Sequence, residues 1–323
     1  MSPPKLYGGV DLCGTKIQTV VMGARGRVSS EARAPTPTSG GPHAVSSAIA
    51  GTINEAAGEA GLAPAALAAV GVGSPGEVDE STGTVAQAKN VSGWDGPFAL
   101  GPELSKALDT PVVVGNDVQV ATQAEFQLGA GKPFKSVLGV FWGTGVGGGL
   151  ILDGRPWVGR GAAGEIGHTV TRIGGRRCGC GRRGCLEAYA GRASMEAKAR
   201  RLVEDGEHTV LFEIMERHGR TRLTSGVWER ALHHGDKVAT RLIDQAVEAL
   251  GAGIASAVNL LDVEAVIIGG GLGTKLGEPY VERIREAMMP HVFADDRPPA
   301  IRLAELGDLG GAIGAALAAK RAA

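Results

Sequence analysis

The chain has 323 residues, 43% of them hydrophobic, which is enough for two domains with a core each. Lys and Arg total 33 against 34 Asp and Glu, a formal charge of −1, so there is no basic footprint for nucleic acid or an anionic membrane. No apolar run is long enough to span a bilayer, MSPPKLYGGVDL lacks an apolar signal core, and 4% aromatics excludes a stacking platform for single strands, so a soluble, cytoplasmic protein is expected.

In chain order, residues 7–12 read as a short apolar strand, CGTK as a turn, and residues 17–22 as a return strand closing at ARGR. Helical spacing follows in HAVSSAIAGTINEAAGEAGL, and AAVGVGSPGEVD reads as a strand running into a turn at Ser74, Pro75 and Gly76. PVVVGND is a strand followed by the helical VQVATQAEFQLGAG. This alternation of strand and helix predicts parallel pairing. A helix is expected over residues 186–202 and another over KVATRLIDQAVEALGAGIASAVNLL, running into a strand at 263–268 and the glycines Gly269, Gly270 and Gly271. RLAELGDLGGAIGAALAAK predicts an alanine-rich final helix that returns to the first domain. No linker or low-complexity tract interrupts the chain, and 52 glycines predict many tight turns and closely packed helices.

After the strand SVLGVFW comes GTGVGGGLILDG, a G-x-G-x-x-G pattern at Gly143, Gly145 and Gly148. In a dinucleotide-binding unit such glycines open a helix. Here the apolar Leu150, Ile151 and Leu152 and the turn pair Asp153-Gly154 follow, which reads as strand, glycine turn, strand. That turn is either a plain tight hairpin or a place where backbone N–H groups meet phosphate. It rhymes with the first hairpin: Gly9-Val10 precedes Gly14-Thr15 as Gly139-Val140 precedes Gly143-Thr144. Two similar α/β halves with their hairpin tips at a shared cleft would produce this rhyme, as would chance likeness between two glycine hairpins.

CGCGRRGC places Cys178, Cys180 and Cys185 close together, with His168 upstream in GEIGH. Three thiols and an imidazole complete a tetrahedral shell with no position for water, so a zinc ion here would be structural. Gly179, Gly181 and Gly184 let the loop wrap one ion, and Arg176, Arg177, Arg182 and Arg183 favour thiolates. The alternative is a disulfide with spare thiols, which a cytosolic setting and the odd count disfavour. Zinc would hold His168 as a fixed neighbour of Glu165 and Glu187.

Taken together, DLCGTK, GTGVGGG, GEIGH, CGCGRRGCLE and the strand-end GGG resemble the ROK family of sugar kinases, in the actin and hexokinase superfamily, and within it the zinc-containing ATP-dependent glucokinases. The resemblance implies an α/β fold of two ribonuclease-H-like domains flanking a cleft. The smaller would comprise residues 1–118 joined by a terminal helix at 308–323, and the larger residues 119–307. It implies a first phosphate hairpin at Asp11, Gly14, Thr15 and Lys16, and a second at Gly143, Thr144, Gly145 and Gly147. Gly270 and Gly271 fall in the adenosine site, and Asp11 matches the carboxylate that organises magnesium.

Asn90, Asn116, Asp117, Glu165, His168 and Glu187 match positions that contact sugar hydroxyls, Ser74 to Gly76 match a loop close to the sugar, and Asp117 matches the catalytic base. Taken singly, each has a plainer reading: Asp117 as a helix N-cap, Asn116 as a turn residue, Glu187 as an exposed first-turn residue, Asp11 as a turn cap. The implied activity is transfer of the ATP γ-phosphate to a hexose 6-hydroxyl, glucose first, in carbohydrate metabolism. The implied cofactors are ATP, Mg²⁺ and structural Zn²⁺, and the implied assembly is a homodimer or homotetramer.

Fructokinases, mannokinases and N-acetylhexosamine kinases share these motifs. Sugar-sensing ROK regulators add an N-terminal helix-turn-helix, for which a first strand within seven residues leaves no room. The choice of sugar is expected to depend on the shape around Ser74 and residues 93–95. Sugar binding is expected to close the cleft about hinges at residues 118–123 and 307–311.

One position departs from the family pattern: Cys13 stands where a glycine is usual. If that position needs φ > 0, a cysteine costs roughly 1 kcal/mol or more. If the backbone is compatible, a free thiol near the phosphates would make activity sensitive to oxidation.

Overall fold

The computed structural model describes residues 5–88, 91 and 93–323. β1 (Leu6–Leu12), β2 (Lys16–Gly23) and β3 (Val28–Pro35) form an antiparallel meander, since short turns return the chain directly. α1 (Gly41–Glu59) then crosses the sheet, burying Val45, Ile49 and Ile53 along one stripe, and delivers β4 (Ala69–Ser74) parallel to β1. A small ribbon of β5 (Glu77–Asp79) and β6 (Thr84–Ala86) and the helix α2 (Leu100–Leu108) precede β7 (Val112–Asn116), which lies parallel to β4. The sheet order is β3-β2-β1-β4-β7. α3 (Asp117–Leu128) leaves directly from its last strand.

The second half repeats this plan. β8 (Val137–Trp142), β9 (Val146–Leu152) and β10 (Arg155–Pro156) are antiparallel neighbours. The crossover is longer, with α4 (Glu187–Ala190), α5 (Arg192–Glu204), α6 (Leu211–Arg217), α7 (Ser225–His233) and α8 (Lys237–Leu261). It delivers β11 (Ala265–Gly269) parallel to β8, and α9 (Gly270–Leu276) and α10 (Glu278–Met288) deliver β12 (Ala300–Leu303) parallel to β11. The order β10-β9-β8-β11-β12 matches the first sheet strand for strand, which accounts for the rhyme between the hairpins. These are the two ribonuclease-H-like α/β domains expected. The antiparallel hairpins expected at the head of each half are present, and the parallel pairing expected from the strand and helix alternation begins at β4 and β11, because no helix intervenes among the first three strands of either sheet.

Each sheet's final helix packs on the other sheet. α11 (Gly310–Ala322) lies on β1 and β4, where a Cβ at Gly9 or Gly71 would run into the carbonyls of Ala312 and Ala315. α3 lies on β8 and β9, where Gly139, Gly147 and Gly149 make room for Val118 and Thr122. Gly147 is therefore a strand residue, paired with Phe141, and the turn of the second hairpin is shorter than expected, residues 143–145. The helix expected at 186–202 is broken at Gly191, where a side chain would meet the Glu187 carbonyl and the hairpin glycine Gly145.

The main core packs α8 and its neighbours on β8 and β11, around Trp142, Trp228 and Leu250. A second core joins α1 and α2 to the first sheet, around Val10, Ile49 and Leu104. No described helix is long and apolar enough to cross a membrane.

Candidate active site

The carboxyl ends of the first sheet's parallel strands, β1, β4 and β7, supply one wall of the site, the usual location for ligands in open α/β sheets. Asp11 is the last residue but one of β1, next to the start of α11, where a Cβ on Gly311 would press on its carboxylate. Asn116 ends β7 and caps α3, its Oδ1 accepting from the N–H groups of Val118 (3.0 Å) and Gln119 (3.1 Å). The N-cap is thus Asn116, not Asp117, and its amide nitrogen is the group available to a ligand. Asp117 is the first residue of α3, its Oδ1 2.9 Å from the Val118 N–H. Ser74 is in register with Asn116 across the β4–β7 pair, which sets the following loop beside it. Gly76 there has φ 95°, and a Cβ would collide with Ala88.

The carboxyls on this wall are held above their ordinary range. Burial pushes the Asp117 pKa up to about 7, the charges of Asp11 and Glu165 push the same way, and the backbone N–H of Val118 opposes. The Asp11 pKa is raised by burial, against opposition from the Cys13 thiol and Lys16.

Cys13 is not among the residues with positive φ, so it costs no backbone strain. Its thiol donates to Asp11 Oδ2 at 3.3 Å, and burial together with Asp11 and Asp117 drives its pKa far above the usual thiol range. The expected sensitivity to oxidation has no support in this setting, because the reactive species is the thiolate. The Cys13 N–H donates to the Lys16 carbonyl, leaving Gly14 and Thr15 exposed at the first hairpin tip, and Lys16 Nζ lies 3.3 Å from Asp308 Oδ2.

The second sheet supplies the facing wall. At its hairpin tip, the Gly143 N–H donates to the Gly145 carbonyl at 3.0 Å. Beside the tip, β11 runs into α9 through Gly270, whose φ of 80° and contact with the Trp142 backbone admit only glycine. A Cβ at Gly143 would point at the Gly271 N–H, 3.9 Å away.

Glu165 and His168 flank a short 3₁₀ turn, Ile166–His168, with His168 Nε2 3.9 Å from Glu165 Oε2 and Nδ1 turned to Cys178 Sγ at 3.8 Å. Glu187, in the first turn of α4, accepts from the Val146 N–H at 3.0 Å. Asn90 lies outside the described residues.

The ligand atoms of His168, Cys178, Cys180 and Cys185 all lie within 4.8 Å of one another. The Cys180–Cys185 sulfur separation is 3.7 Å and the His168–Cys178 contact 3.8 Å, and all three cysteines are free. A tetrahedron with bonds of about 2.0–2.3 Å has edges of about 3.3–3.8 Å, so the set fits zinc. Tyr189 of α4 supports the loop from below, accepting from the Arg176 N–H at 3.0 Å beneath the Arg176 guanidinium.

Comparison with known proteins places the fold and the family. The model of the ROK family matches residues 7–322. The glucokinase of Halalkalibacterium halodurans is 33% identical over 313 residues, covering 95% of this chain and 93% of the relative. The N-acetyl-D-glucosamine kinase of Salmonella heidelberg is 31% identical, covering 96% of this chain and 98% of the relative. A crystal structure of a ROK family glucokinase from Streptomyces griseus, in complex with glucose and AMPPNP, superposes with a TM-score of 0.83 at 31% identity, covering 98% of this chain and 99% of that one.

Proposed function

As the chain belongs to the ROK family, we propose that it is an ATP-dependent hexose kinase that phosphorylates glucose on its 6-hydroxyl, with Asp117 as the general base. The observation that carries this reading is the Asp117 carboxyl, half-buried at the start of α3, with the charges of Asp11 and Glu165 near it and its pKa pushed up to about 7. A base poised there is about half ionised at neutral pH and takes a proton readily.

Each residue has a role its geometry supports. The Asn116 amide nitrogen, with its oxygen committed to the helix cap, donates to a sugar hydroxyl, while Glu165 and His168 Nε2 bind hydroxyls from the facing wall. Glu187 holds β9 against the metal loop, and the open N–H groups of both hairpins face the phosphates of ATP. Asp11 is the carboxylate placed to hold Mg²⁺, whose chemistry is to neutralise charge on the phosphates. His168, Cys178, Cys180 and Cys185 would hold a structural zinc, with His168 Nδ1 on the cysteine side and Nε2 left for the sugar.

The cleft would close as two bodies, residues 1–118 with α11 and residues 119–307. The exchanged packing of α3 and α11 supports this division, since each helix is locked to the sheet it crosses to. Glucokinases at 33% and 32% identity support glucose as the sugar, while an N-acetyl-D-glucosamine kinase at 31% makes N-acetylated hexoses the competing class. A coupled ADP-release assay with ATP and glucose, mannose, fructose, N-acetylglucosamine and N-acetylmannosamine tests the assignment. Glucose should have the highest kcat/KM; higher efficiency with an N-acetylated sugar would move the assignment to that class, and no turnover with any sugar would overturn it.

A further inference from the structure

Arg192 opens α5 where that helix meets the tip of the second hairpin. Its backbone N–H donates to the Gly143 carbonyl at 3.1 Å, and that of Ala193 to the Thr144 carbonyl at 3.0 Å. The guanidinium reaches on from there: Nη2 donates to Thr144 Oγ1 and Nη1 to Ser225 Oγ, each at 2.8 Å. Ser225 opens α7, and its Oγ would sit 3.5 Å from a Cβ on Gly271. The cation therefore lies between the hairpin tip and the glycines that follow β11.

Its charge has no protein partner. Lys16 at the first hairpin is paired with Asp308, whereas Arg192 takes part in no ion pair among the described residues. Glu196 is close enough to favour its charge, but its oxygens are committed, Oε1 to Arg200 and Oε2 to the Leu223 N–H. Burial and Arg222 both disfavour the charge. A half-buried guanidinium bonded only to neutral hydroxyls keeps N–H groups free and gains most from an anion that offers two oxygens side by side, as a phosphate does.

We propose that Arg192 binds the non-transferred phosphates of the nucleotide, those that ADP retains, and orients the hydroxyls of Thr144 and Ser225 toward the same anion. The transferred phosphate must face Asp117 at the end of the first sheet, while Arg192 stands on the Gly271 side of the hairpin, and this separation assigns the cation to the phosphates that stay behind. The inference rests on the kinase reading above and names a residue that no motif singled out.

The test is calorimetric titration of the full chain with ADP, in saturating glucose, and separately with glucose alone. Arg192→Ala should weaken ADP about tenfold or more, as loss of a charged hydrogen-bonding group does, with glucose affinity within twofold of wild type. In turnover, the KM for ATP should rise in step with the loss of ADP affinity while kcat changes less. Arg192→Lys should recover part of the loss, since it restores the charge without the fork. It also serves as the test variant should Arg192→Ala fail to fold, because a lysine that still binds ADP as tightly as wild type removes the role of the fork. Unchanged ADP affinity in a folded Arg192→Ala, or equal losses for ADP and glucose with a lowered Tm, would overturn the proposal, the second result marking a mere structural brace. Absence of sugar phosphorylation by the wild type would instead sink the kinase reading, and the ADP comparison would still decide the role of Arg192.

Discussion

Glu187 Oε2 accepts a hydrogen bond from the Val146 N–H at 3.0 Å, and its Oε1 lies 3.8 Å from Cys178 Sγ. One carboxylate thus spans the return strand of the second hairpin and the cysteine loop. Disturbing the loop should be felt at both the sugar and the nucleotide.

Purified, reduced protein should contain one zinc per chain, and Cys180→Ser should lose it. Because His168 would lose the ligand that fixes its ring, the KM for glucose should rise about 10- to 100-fold, with a smaller rise for ATP transmitted through Glu187. Elemental analysis finding no zinc in the wild type would refute the metal assignment.

Cys13 should resist alkylation in the folded protein at neutral pH, since its half-buried thiol is bonded to Asp11 and the charges of Asp11 and Asp117 oppose the thiolate. Peptide mapping after brief iodoacetamide treatment reads this directly, with unfolded protein as the reference. Cys13→Gly should retain near-normal activity, the backbone there being unstrained. Rapid labelling of Cys13 in the native chain would contradict the description.

Asp117 should carry a stability cost that depends on pH. Its folded pKa, about 7, lies above its ordinary value of 3.8, so between those two values the folded chain holds a proton that the unfolded chain has released. Stability from this group is therefore complete below pH 3.8, falls as pH rises through the window, and is lost above about 7. Asp117→Asn removes the penalty, so its Tm should exceed the wild-type Tm by a few degrees at pH 8 and match it near pH 4. Equal Tm values at pH 8 would show that the carboxyl is not destabilised.

Much of this was legible in the residues. The paired runs at Gly9-Val10 and Gly139-Val140, each before a glycine turn, are local signals, and they report the duplicated sheets because a short turn forces an antiparallel return. β3 carries little signal because it is an edge strand, VSSEARAP, whose polar residues are mostly exposed and whose one buried side chain is Ala32. Gly147 lies in β9 rather than in the turn for a different reason: a glycine that admits α3 looks, in sequence, like one that turns the chain. Asn116 and Asp117 are both cap-forming residue types, and only the actual start of the helix decides between them. Arg192 carries no local signal at all, since its partners Thr144 and Ser225 meet it only in the folded chain.

Glucose should draw the two halves together, because Asn116 and Asp117 lie on one wall and Glu165 and His168 on the other, and one hexose must meet both. Small-angle scattering should show a smaller radius of gyration with saturating glucose. An unchanged radius alongside calorimetric binding would mean that the site is preformed.

The central claim is that Asp117 accepts the proton of the attacking hydroxyl. Its most direct measurement is kcat/KM for glucose from pH 5 to 9, for wild type and Asp117→Asn, with glucose binding followed calorimetrically. The wild type should gain activity as pH rises and level off above about 7, where the carboxyl is ionised. Asp117→Asn should bind glucose within a few-fold of wild type yet lose about 10²–10⁴ in kcat. A variant that turns over at a near-normal rate, or a wild-type profile flat from pH 5 to 9, would show that the base lies elsewhere.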